Sequence, residues 1–192
     1  QLEKLLSQFN KSTPKLIVFE SLYSMDGTKA KIGNYVELAK KYNAMTYLDE
    51  VHAVGLYGKE GKGVASECGF SDQIDIINGT LAKAVGQIGG YITGDYDIIE
   101  FIRNQAPGFI FTTSIMPAVA AAAKTSLNIV ENADGAVKQI RRESDTGAVM
   151  DFSKYYFFSR SLLEKKSFIS YHITNYYISR GFNIIKIRFI NL

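Results

Sequence analysis

Cysteine is nearly absent from this chain: Cys68 is the only one in 192 residues. An intrachain disulfide is therefore excluded, and the composition fits a reducing, cytoplasmic setting. No apolar run approaches the roughly 20 residues that a membrane-spanning helix needs. The opening Gln1-Leu2-Glu3-Lys4 has neither the basic nor the apolar region of a secretory signal, and no initiator Met precedes it. The chain is expected to begin within a longer protein. Histidine is scarce, with only His52 and His172, so the H-E-x-x-H pattern of a zinc site is missing and no metal is expected. A phosphate loop of the form G-x-x-x-x-G-K-[ST] is missing too. Gly58-Lys59-Glu60-Gly61-Lys62-Gly63 does not supply one, which removes the helicase reading of Asp49-Glu50-Val51-His52.

Alanine and valine vanish from residues 151–192, where Phe, Tyr, Ile, Ser, Lys and Asn dominate. Runs such as Tyr155-Tyr156-Phe157-Phe158 follow neither the strand nor the helix period. This stretch reads either as a small aromatic-rich β region or as the product of a shifted reading frame. The formal charge of +3 is too small to argue for nucleic acid, and Lys and Arg crowd the same stretch against only Asp151 and Glu164. The expected organisation is a folded unit over 1–134 and a tail of different origin, poorly packed, over 135–192.

Alternation is what the first part does have. Residues 2–9 carry a short helical pattern. Leu16-Ile17-Val18-Phe19 is an apolar run of strand length, expected to be buried on both faces. Ser24-Met25-Asp26-Gly27 reads as a turn, and Tyr35, Leu38, Ala39 and Tyr42 recur at helical spacing. Strands are expected over 44–48, 74–77 and 89–93, the second, third and fourth of the chain, with that over 74–77 ending in Asn78-Gly79-Thr80. Pro117 opens an Ala-rich helix reaching about residue 130. This order predicts an α/β fold with a mostly parallel sheet.

In such sheets reactive groups gather at the carboxyl ends of strands. Lys83 follows the third strand and a Gly-Thr turn, before apolar Ala84-Val85. Partial desolvation there would lower its pKa and free the amine for a Schiff base, although from position alone a lysine stem packed on a helix is the simpler explanation. Asp49 ends the second strand, where it could cap the strand or hold a proton on a ring nitrogen. His52 lies three residues on.

Four segments then occur in order: Phe19-Glu20-Ser21-Leu22-Tyr23-Ser24-Met25-Asp26-Gly27, Asp49-Glu50-Val51-His52-Ala53-Val54-Gly55-Leu56-Tyr57-Gly58, Gly79-Thr80-Leu81-Ala82-Lys83-Ala84 and Gly108-Phe109-Ile110-Phe111-Thr112-Thr113-Ser114. Together they resemble the α-oxoamine synthases, pyridoxal-phosphate enzymes of fold type I, over residues 14–132. The closest likeness is to members that condense glycine with succinyl-CoA to 5-aminolevulinate, CoA and carbon dioxide, the entry to tetrapyrrole and heme synthesis. The 2-amino-3-ketobutyrate CoA ligases and a non-catalytic gene remnant are the alternatives.

The resemblance implies a partial large domain of that fold, with the irregular aromatic tail appended. Lys83 would hold pyridoxal 5'-phosphate and later take the glycine Cα proton. Asp49 would keep the ring nitrogen protonated, His52 would bond the phenolic oxygen, Thr80 the phosphate, and Ser24 would also face the cofactor. A homodimer is implied, with Thr112 and Thr113 reaching the partner's phosphate; neither nucleic acid nor membrane is. The family's aromatic group that stacks on the ring, and its Arg-x-x-Pro-[TS]-Pro segment for the substrate carboxylate, are not found in this sequence. A central fragment, inactive by itself, is the expectation.

Overall fold

The computed structural model describes residues 1–132 and 183–186. Five strands, β1 (Lys15–Glu20), β2 (Met45–Asp49), β3 (Ile76–Thr80), β4 (Gly90–Gly94) and β5 (Asn183–Lys186), form one sheet in the order β4-β3-β2-β1-β5. β5, β1, β2 and β3 run parallel, and β4 is antiparallel to β3. The helices are α1 (Leu2–Leu6), α2 (Ile32–Tyr42), α3 (Val64–Cys68), α4 (Tyr96–Gln105), α5 (Pro107–Ile110) and α6 (Pro117–Asn132).

The expected mostly parallel α/β sheet is present. Burial on both strand faces is not. In β1 and β2 buried and half-buried residues alternate. Ile17, Phe19 and Leu48 enter a core with Leu6 of α1 and Ile32, Val36 and Ala39 of α2. Phe19 stacks on Tyr35, ring centroids 4.1 Å apart. Leu16, Val18, Tyr47 and Asp49 point to the other face and are half-buried. A run of apolar letters cannot distinguish these two environments, because Leu and Val serve either face.

Lys15 shows how a charged residue can open a strand on the buried face. Its ammonium donates to the carbonyls of Asn10 at 2.8 Å and Thr13 at 2.7 Å, so the charge is solvated by the preceding loop. Thr46 and Asp75 bind reciprocally: Asp75 Oδ2 accepts from the Thr46 amide and hydroxyl, both at 2.7 Å, and the Asp75 amide donates to Thr46 Oγ1 at 2.9 Å. This clasp ties β2 to the entry of β3.

β3 differs from expectation at its end. Asn78-Gly79-Thr80 continues the strand instead of turning, because Gly79 lies opposite Tyr91 of β4 and a side chain there would collide with the Tyr91 ring. α4 has no counterpart in the sequence reading. Its start is capped by Asp95, which accepts from the Asp97 amide at 3.0 Å. Of the tail, four residues pair with β1, from Lys15↔Asn183 to Val18↔Lys186. The expectation of poor packing over the rest of the tail lies outside the described residues.

At the end of β2 the alternation of burial continues one residue beyond the strand. Asp49 faces away from the core and Glu50, the next residue, is fully buried. The Glu50 carboxylate accepts from Ser21 Oγ at 2.5 Å and from the amides of Val64 at 3.1 Å and Ala65 at 2.7 Å. It thus binds the segment after β1 to the first turn of α3. Gly63 has φ +108, and a Cβ there would lie 2.7 Å from the Glu50 carboxyl carbon, so only glycine admits this approach.

Removing the carboxylate orphans three buried donors. Glu50→Ala is therefore expected to lower the free energy of unfolding by about 3 kcal/mol or more, measured by urea titration. A loss under about 1 kcal/mol would contradict this role.

Candidate functional site

Three parallel strands end side by side, and their last outward-facing residues align. Glu20 of β1 is in register with Asp49 of β2, and Asp49 with Asn78 of β3. Neighbouring strands lie about 4.8 Å apart, so this row is a compact polar ledge. Asp49 is fixed from both sides: its main-chain carbonyl accepts from the Ser21 amide at 2.9 Å, and its carboxylate accepts from the Val51 amide at 2.8 Å. The Glu50 amide donates to the Asn78 carbonyl at 2.9 Å, continuing the pairing one residue beyond β2.

His52 follows in the turn after β2 and is half-buried. Its Nδ1 lies 3.8 Å from Glu20 Oε2. Burial holds the imidazole below its ordinary pKa, the positive charge of nearby Lys83 adds to this, and Asp49 opposes it. The structure therefore brings Asp49, His52 and Lys83 into one electrostatic neighbourhood, with Glu20 as a fourth member.

Lys83 sits in the loop joining β3 to β4. That loop is closed by main-chain bonds from Leu81 to Gly89 and from Gln87 to Leu81, at 2.9 and 2.7 Å. Thr80 stiffens it: its hydroxyl accepts from the Ala82 amide at 3.1 Å and donates to the Gly89 carbonyl at 3.2 Å. Lys83 is exposed, where partial desolvation was expected. Its positive charge, which acts on His52, is what singles it out.

Ser24 is exposed, and its amide donates to Glu20 Oε2 at 3.1 Å. Thr112 and Thr113 lie on a separate exposed segment between α5 and α6, and the Thr112 hydroxyl donates to the Gly108 carbonyl. Neither Glu20 nor Glu50 was assigned a role from the sequence. Strand parity was the available signal: Glu20 matches Asp49 in register, and Glu50 is one step out of phase.

The family described as aminotransferase class I and II matches residues 1–147. This chain belongs to that family. Among curated relatives, 5-aminolevulinate synthase of Rickettsia typhi is 59% identical over 126 residues, covering 66% of this chain and 30% of the relative. That of Paracoccus denitrificans is 54% identical over 134 residues, covering 70% and 33%. The chain thus spans about a third of the length of these relatives. Among solved structures, Sphingomonas wittichii serine palmitoyltransferase superposes with a TM-score of 0.67 at 33% identity, over 74% of this chain and 35% of that one. A variant of SPT with PLP gives a TM-score of 0.67 at 36% identity, over 76% and 36%.

The lowered His52 pKa couples stability to pH. Below the ordinary value of 6.5 the unfolded chain takes up a proton that the folded chain resists, so stability falls with acidification until the folded value is passed. Glu50, raised by burial above 4.5, acts with the opposite sign, its contribution fading as pH rises from there. Urea midpoints measured from about pH 7.5 down to about pH 5.5 should fall less steeply in His52→Gln than in the parent chain. Equal slopes would contradict the buried, neutral state of His52.

Proposed function

We propose that this chain is the central part of a 5-aminolevulinate synthase, binding pyridoxal 5'-phosphate through Lys83 and serving the condensation of glycine with succinyl-CoA. The observation that carries the reading is that Asp49 at the end of β2, His52 in the turn after it and Lys83 in the loop after β3 are electrostatically coupled. The residues present fit the cofactor. A carboxylate on the ledge lies in the electrostatic neighbourhood of an imidazole and a primary amine, and the exposed amine is open to an incoming aldehyde. When bound, the cofactor supplies an electron sink conjugated to the substrate Cα.

The chain's own residues act around it. Asp49, already oriented by the Val51 amide, holds a proton at the ring nitrogen. His52 would bond the phenolic oxygen, and Ser24 would also face the cofactor. Thr80 gives its hydroxyl to the phosphate, which requires only that a long 3.2 Å bond to Gly89 be exchanged. Lys83 would take the Cα proton of glycine as general base. Thr112 and Thr113 reach the phosphate of a second copy in a homodimer, in keeping with their exposed segment. Its large exposed side chains, Phe109, Phe111 and Met116, are 60%, 85% and 66% exposed and form apolar surface for such a partner. The single cysteine keeps the cytoplasmic location as part of this reading. Other α-oxoamine chemistry is disfavoured, since relatives named 5-aminolevulinate synthase reach 59% identity and the serine palmitoyltransferases 37%.

The test is chemical. Pyridoxal phosphate added to the purified chain, followed by borohydride, should fix the label on Lys83 in peptide maps, and Lys83→Ala should abolish it. A label on another lysine in the parent chain would contradict the assignment.

A further inference from the structure

We propose that Glu20 is a positioning residue of this site, one carboxylate that holds both the His52 ring and the turn carrying Ser24. The inference rests on the cofactor reading above and adds a group that the reading does not assign.

The geometry is direct. Glu20 Oε2 accepts from the Ser24 amide at 3.1 Å and lies 3.8 Å from His52 Nδ1, so a single oxygen faces both segments. Glu20 ends β1 in register with Asp49, which places it on the ledge and not in the core. The turn it anchors is built on the same principle. Asp26 Oδ1 accepts from the Thr28 amide at 2.9 Å, and the Gly27 amide donates to the Tyr23 carbonyl at 2.9 Å. Without the Glu20 bond the Ser24 amide loses its acceptor at the end of that turn.

Among the described residues, charged groups that face His52 include Glu20 from β1, Asp49 from β2 and Lys83 from the loop after β3. Lys83 and burial favour the neutral ring, and the two carboxylates favour the proton. At 3.8 Å the Glu20 contact is longer than a hydrogen bond, so its influence on the ring is electrostatic. Both residues are partly shielded, with the His52 side chain 18% exposed and that of Glu20 36%. The carboxylate therefore acts through a partly solvated field, and its effect on the ring is modest.

Two readouts test this on the full chain. The chain has two histidines, and the signal lost in His52→Gln assigns the ring in a proton NMR titration. Glu20→Gln keeps the side-chain shape and an acceptor for the Ser24 amide but removes the charge. The His52 midpoint should fall by about half a unit to one unit, and Glu20→Asp should recover part of the fall. Borohydride labelling of Lys83 across a range of pyridoxal phosphate concentrations is the second readout, with half-labelling expected at a severalfold higher concentration in Glu20→Ala. An unchanged His52 midpoint in Glu20→Gln, or unchanged labelling in Glu20→Ala, overturns the positioning role. Failure of the parent chain to label at Lys83 overturns the cofactor reading instead, while the titration still decides whether Glu20 governs His52.

Discussion

The buried carboxylate of Glu50 is the interaction on which the rest of the site depends. One side chain receives Ser21 from beyond β1 and two amides from the start of α3. Its neighbours in sequence are Asp49, which faces the ledge, and the turn that carries His52. Burial alone raises the pKa of such a group, and three donated hydrogen bonds counter it. The two functions of the segment Asp49-Glu50-Val51-His52 are therefore divided by parity. Glu50 points inward and anchors, and Asp49 points outward and is presented.

Around that anchor the sheet does the positioning. Parallel strands place their carboxyl ends on one edge, and register then decides which side chains meet. Glu20, Asp49 and Asn78 come from segments about 29 residues apart in sequence, yet stand in one row. Lys83 reaches the same neighbourhood because β3 continues through Gly79 and Thr80 and returns as antiparallel β4, closing a short loop around it. A glycine that admits the Tyr91 ring is what allows that return.

Much of this was legible in the sequence. The apolar runs placed β1 and β2 within a residue or two, and the Ala-rich run from Pro117 placed α6. Lys83, Asp49 and His52 stood out as groups just past strand ends. Facing was not legible, because Leu16-Ile17-Val18-Phe19 reads the same whether one side or both are covered. Glu20 and Glu50 were passed over because their roles depend on register between distant strands, which no local pattern encodes. The short α3 was also missed: five residues after Gly63 carry too little periodicity, and the helix is held by Glu50 from outside. The expected desolvation of Lys83 failed for a related reason, since its cover would have to come from other parts of the chain or a partner.

The central claim is that the ledge at the ends of β1, β2 and β3 holds a pyridine ring with its nitrogen against Asp49. The most direct measurement is the nitrogen-15 chemical shift of ring-labelled pyridoxal phosphate bound to the chain, compared with the same cofactor bound to Asp49→Ala. The account predicts a protonated ring nitrogen in the parent chain and an unprotonated one in the variant at the same pH. Identical shifts in the two proteins would show that Asp49 does not face the ring nitrogen, and would contradict the site as drawn.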